Sequence, residues 1–124
     1  MENLLKPKIL ICGKDLVNDD LFLDLIQKNA NTLFLKDLNN LENEVKELKS
    51  KILLFEFSKS FEDDLLRLKL LKAAAPWLEI LVIGDGISRE EVIRTFRSGI
   101  RDYFKKPYNT KLLVERLEAL LKFV

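Results

Sequence analysis

Three side chains in this sequence could meet to do ionic chemistry. Glu56 closes the apolar run Ile52-Leu53-Leu54-Phe55, Lys14 follows Ile9-Leu10-Ile11-Cys12 by two residues, and Lys106 stands in Lys105-Lys106-Pro107. A carboxylate beside two amines forms an ion pair. Half-buried, such a pair positions groups more than it stabilises them, because desolvation offsets attraction. Asp15 and Asp85 are reserve acids. Other chemistries lack parts. There is no His, hence no imidazole base, His metal ligand or phospho-His relay. Ser58 and Ser60 therefore have no imidazole partner for nucleophilic work. Cys12 stands alone, so neither an intramolecular disulfide nor a cysteine metal cage can form, and it reads as a buried small hydrophobe of a reducing compartment. Gly84-Asp85-Gly86 has no Gly-x-Gly-x-x-Gly or Lys-Ser/Thr continuation and reads as a plain loop.

The elements that must place these residues are legible as alternating apolar runs and amphipathic stretches. Ile9–Cys12, Thr32–Leu35, Ile52–Phe55 and Ile80–Ile83 are short apolar runs, the mark of strands covered on both faces, and Asp102–Lys105 is a shorter, partly polar edge strand. Between them lie helical spacings. Val17, Leu21 and Leu25 form one stripe beside Phe22 and Ile26; Leu41, Val45 and Leu48 form the second; Leu65, Leu68 and Leu71 the third. Ser60 and Ser88 each precede an acid by three residues, as N-caps do; the fourth helix then runs through Ile93 and Phe96 to Gly99. Asn109 caps the last helix, with Leu113, Leu117 and Leu120 inward. Alternating strands and helices with right-handed crossovers build a parallel sheet between two helical layers, in which ligands sit at the carboxyl ends of the strands.

Composition bounds the rest. The 124 residues suit one domain, residues 1–124, able to bury roughly two-thirds of its unfolded surface. The chain is 48% hydrophobic and 33% charged, as in ordinary soluble proteins. Its 21 basic and 20 acidic residues leave +1, which gives no global field for nucleic acid or an anionic membrane. No apolar run approaches the roughly 20 residues that span a bilayer, and Met1 to Lys8 holds no stretch of signal-peptide length. The expectation is a cytoplasmic domain without cofactor or metal.

The segment Ser98-Gly99-Ile100-Arg101-Asp102-Tyr103-Phe104-Lys105-Lys106-Pro107-Tyr108 resembles the Gly-Ala-x-x-Tyr-x-x-Lys-Pro-Phe stretch of the receiver domains of bacterial two-component response regulators. The resemblance extends over nearly the whole chain in element order and spacing. It implies a flavodoxin-like α/β domain, doubly wound in three layers, with five helices and a five-stranded parallel sheet of order 2-1-3-4-5. It implies an Asp phospho-acceptor after the third strand, where Glu56 stands, and two Mg²⁺-binding acids after the first, where Gly13 and Lys14 stand. The family's hydroxyl after the fourth strand falls on Gly84. Its lysine falls on Lys106, its cis peptide on Lys106–Pro107 and its reorienting aromatic on Tyr103.

Phosphoryl transfer between anions needs a divalent cation, and Mg²⁺ needs oxygen ligands. Gly13 offers none and Lys14 repels the ion, so the leading expectation is a pseudo-receiver: a non-enzymatic interaction module in which a Glu56–Lys106 pair, with Lys14 nearby, imitates a permanently charged acceptor. The alternatives are a phosphorelay receiver holding Mg²⁺ through Glu56 and Asp85, and a flavodoxin-like small-ligand binder. For partners, Arg94, Arg97, Arg101 and Lys105 could form a basic strip, solvated or facing an acidic protein. Val114 and Leu121 draw a second apolar line on the last helix, which ends at Phe123-Val124. In the family this fourth-helix, fifth-strand, fifth-helix face carries dimer or output contacts, so a homodimer or a tethered output domain is expected there.

Overall fold

Five parallel strands make one sheet in the computed structural model, which describes residues 7–35, 38–58 and 60–123. They are β1 (Lys8–Cys12), β2 (Asn31–Phe34), β3 (Ile52–Glu56), β4 (Glu79–Gly84) and β5 (Asp102–Lys105), in the order β2-β1-β3-β4-β5. The helices are α1 (Asp20–Ile26), α2 (Leu41–Leu48), α3 (Phe61–Ala74), α4 (Arg89–Arg97) and α5 (Thr110–Leu121). The expected order and element count both hold among the described residues.

Period-two alternation between two covered faces explains the apolar runs of the central strands β1, β3 and β4. Ile9, Ile11, Ile52, Leu54, Leu81 and Ile83 enter one core cluster together with Phe22 and Ile26 of α1 and Leu113, Leu117 and Leu120 of α5. The intervening Leu10, Cys12, Leu53, Phe55, Ile80 and Val82 enter a second cluster with Leu41 and Val45 of α2 and Leu68 and Leu71 of α3. Neither face of a central strand meets water, so no polar alternation survives. The helix starts follow their caps. The Ser60, Ser88 and Asn109 side chains accept from the amides of Asp63, Glu91 and Leu112, and Ser88 with Glu91 closes a full capping box.

Three stripes differ from the sequence expectation. Val17 and Leu21 are exposed, because the chain makes a 3-10 turn at Leu16–Asn18 before α1 begins, and this rotates Leu16, Phe22 and Ile26 inward. Ile93 and Phe96 of α4 are also exposed; Thr95 is the buried residue of that helix. On α5, Val114 is buried and Leu121 packs partly against the same core. The second apolar line thus widens the inner stripe and offers no docking face. Val124 and residues 1–6 lie outside the described residues.

Candidate functional site

Glu56 ends β3, and its alternation turns it toward the core layer shared with α1 and α5, at a point where the strand leaves the apolar interior. It is 5% exposed. A carboxylate so placed needs partners. Its Oε1 accepts from the backbone amides of Asp15 (3.2 Å) and Leu16 (3.4 Å), which open the 3-10 turn after β1. Its Oε2 pairs with the Lys106 ammonium. Both oxygens are therefore engaged. The expected Glu56–Lys106 pair is present, and the Lys106–Pro107 peptide is cis.

The second amine of the expectation is not part of the pair. Lys14 is exposed, and its side chain bonds to none of the described residues. Asp15 joins instead: Lys106 Nζ donates to Asp15 Oδ2 at 2.6 Å. One ammonium thus serves two carboxylates. Burial pulls the Lys106 pKa down, but the bonds from Asp15 and Glu56 outweigh it and hold the ammonium above its ordinary value. The Lys106 bond, and then its charge, hold the Asp15 carboxyl below the usual range. Asp15 has this role because the 3-10 turn begins immediately after it; no pattern in the sequence marked that turn.

Asp19 and Tyr108 extend the site. The Tyr108 hydroxyl donates to Asp19 Oδ2 at 2.6 Å, while Asp19 Oδ1 accepts from the Phe22 amide as the cap of α1. Burial and then this bond push the Tyr108 phenol upward. Asp15, Asp19 and Asp85 border a shared depression beside Lys106. Asp15 and Asp19 already have partners, and among the described residues no group of three or more acids, His or Cys could hold a metal ion. The family's Mg²⁺ does not fit these residues. Gly13 has no side-chain donor, Lys14 brings positive charge, and both Glu56 oxygens already have partners.

Two glycines are shaped by the side chains over them. A Cβ at Gly13 would fall 2.7 Å from Glu56 Cβ. A Cβ at Gly84 would fall 2.6 Å from Tyr103 Oη and 2.9 Å from its ring. Tyr103 thus lies over the position of the family's hydroxyl, and burial, then the charge of Asp85, raise its phenol pKa. Of the basic strip, Arg94 is occupied: it makes two bonds to Glu62, at 2.7 and 2.8 Å, and lies 5.0 Å from the centre of the Phe61 ring. Arg97, Arg101 and Lys105 are exposed, with Arg101 4.0 Å from Glu79.

Solved structures share this architecture. A response regulator from Thermotoga maritima superposes with a TM-score of 0.80 at 15% identity, covering 94% of this chain and 98% of that one. An orphan response regulator of H. pylori gives 0.77 at 22% identity, with 93% and 96% covered. A CheY-like protein from Pseudomonas aeruginosa PAO1 gives 0.76 at 18%, with 93% and 99% covered. No protein-family model and no curated protein matches the chain. The fold is that of response-regulator receiver domains. No helix of the described residues is long and apolar enough to cross a membrane.

Proposed function

We propose that this chain is an atypical receiver domain, a signalling module that works by protein contact and does not use carboxylate phosphorylation. The observation that carries the reading is the engagement of Glu56. A phospho-acceptor must present an oxygen in line with the donor, with a cation to offset the charge. Here Oε1 faces two backbone amides and Oε2 faces Lys106. The lysine that would otherwise meet an incoming phosphoryl group is held by Glu56 and Asp15.

The module acts on a protein partner through the α4–β5–α5 face, as a homodimer or with an output domain. Exposed Ile93 and Phe96 beside Arg97 suit a partner with apolar and acidic groups. The domain itself makes no direct contact with nucleic acid, needs no cofactor and performs no catalysis. Adding Mg²⁺ with beryllofluoride, a mimic of the acyl phosphate, tests the reading by amide NMR. Unchanged resonances at Asp15, Glu56 and Lys106 are expected. Specific, Mg²⁺-dependent shifts there would overturn it in favour of phosphorylation at Glu56.

A further inference from the structure

Residues at the carboxyl ends of β1, β2 and β3 line a cavity of about 320 Å³ that shares no lining residue with the depression beside Lys106. Its walls are Val17, Phe34, Leu35 and Phe55, and Lys14 and Ser58 also line it. The volume lies at the small end of the range of ligand pockets, about 300–1,000 Å³. The place is chemically apt. The connection after β1 runs to β2 on one side and the connection after β3 runs to β4 on the other, so the crevice between β1 and β3 is where the strand order reverses and open α/β sheets accept ligands.

The lining selects a ligand class. Val17, in the 3-10 turn after β1, is 41% exposed, so an apolar body would remove it from water. Neither the Lys14 ammonium nor the Ser58 hydroxyl bonds to another described residue. Glu56 also lines the cavity, with its oxygens bonded to the Asp15 and Leu16 amides and to Lys106, and Lys14 is the cation there without a counter-ion among the described residues. The available polar groups are therefore one cation and one hydroxyl beside an aromatic and aliphatic wall. We propose that this cavity binds an amphipathic organic monoanion, an aromatic acid in size and character, with its ring on Val17, Phe34 and Phe55 and its carboxylate or sulfonate on Lys14. The assignment does not depend on whether Glu56 can be phosphorylated.

Titration of the whole chain with 8-anilinonaphthalene-1-sulfonate, followed by its fluorescence, tests this. Its uncharged twin, N-phenyl-1-naphthylamine, serves as the control. Saturable binding of one sulfonate per chain is expected. Lys14→Glu should weaken it about fivefold or more, since it replaces attraction by repulsion, and should leave the uncharged twin unaffected. Val17→Glu should weaken both probes, and Leu66→Glu, on the exposed face of α3, should weaken neither. Lys14, Val17 and Leu66 are all exposed, so the variants keep the fold. Absence of saturable binding, sulfonate affinity unchanged in Lys14→Glu, or loss of affinity in Leu66→Glu would each overturn the assignment.

Discussion

The side chain of Glu56 occupies the space that a side chain at Gly13 would need, with Glu56 Cβ only 2.7 Å from the place of a Gly13 Cβ. Of the three positions that the receiver pattern gives to carboxylates, 13 and 56 thus share one carboxylate here. Gly13→Ala should therefore destabilise the fold by about 1–3 kcal/mol, the usual cost of forcing atoms into a packed site. In the double variant with Glu56→Gly, which removes the opposing Cβ as well, the steric part of that cost should vanish. A double-mutant cycle in urea measures the coupling; additive effects would refute the shared space.

Lys106 and Glu56 should not be equivalent under substitution. Glu56→Gln keeps an amide oxygen for the Asp15 and Leu16 amides and leaves Lys106 its bond to Asp15, so a loss of about 1 kcal/mol is expected. Removing Glu56 does not strand the amine, because Asp15 still accepts from it. Lys106→Met strands a buried carboxylate and should cost about 3 kcal/mol. Chemical denaturation of both variants at neutral pH ranks them, and the reverse order would contradict the geometry.

Asp15 and Lys106 set opposite pH limits on the same bond. The folded pKa of Asp15 is depressed, so its contribution is present above the ordinary value of 3.8 and fades as pH falls through the lower folded value. The folded pKa of Lys106 is raised, so its contribution is complete below 10.5 and fades as pH rises through the higher folded value. Asp15→Asn should reduce the acid-side dependence and shrink the alkaline one, where Glu56 still holds Lys106. Thermal unfolding from pH 2 to 5 checks the first part, and from pH 10 to 12 the second.

Restoring a hydroxyl at Gly84 should displace Tyr103. A Gly84→Ser side chain begins where the phenol now lies, so the ring must move outward. The expected result is a loss of the ring contacts between Tyr103 and residue 84 in NMR, with the phenol pKa falling toward 10.0 as burial, its chief cause, is relieved. An unmoved ring would show that the pocket tolerates both groups.

Cys12 should resist thiol reagents in the folded chain. It is 4% exposed, and burial, with a smaller push from Glu44, raises its pKa to about 12, so almost no thiolate exists near neutrality. Labelling at pH 8 should be slow and should quicken only under unfolding conditions. Fast labelling in native buffer would contradict this packing.

The sheet was readable because Ile9–Cys12, Ile52–Phe55 and Ile80–Ile83 are apolar at every position, which only a strand covered on both faces requires. The Glu56–Lys106 meeting was readable because both residues fall at strand ends on one side of a parallel sheet. What escaped was local rotation. The turn at Leu16–Asn18 brings Asp15 to Lys106 and moves Val17 and Leu21 into solvent, and four-residue periodicity cannot register a break of that kind. The burial of Val114 escaped likewise, since a wide inner stripe and a two-sided helix look alike in sequence. Asp19 and Tyr108 form a pair separated by 89 positions, with no motif joining them.

Glu56 Oε1 fastens two amides that lie 41 and 40 positions earlier in the chain. That clasp is made of the protein's own atoms and needs no enzyme to apply or remove it. On the reading proposed above, such a regulator has a fixed posture from the moment it folds, and a cell could adjust its message chiefly through synthesis, turnover or competition for its partner.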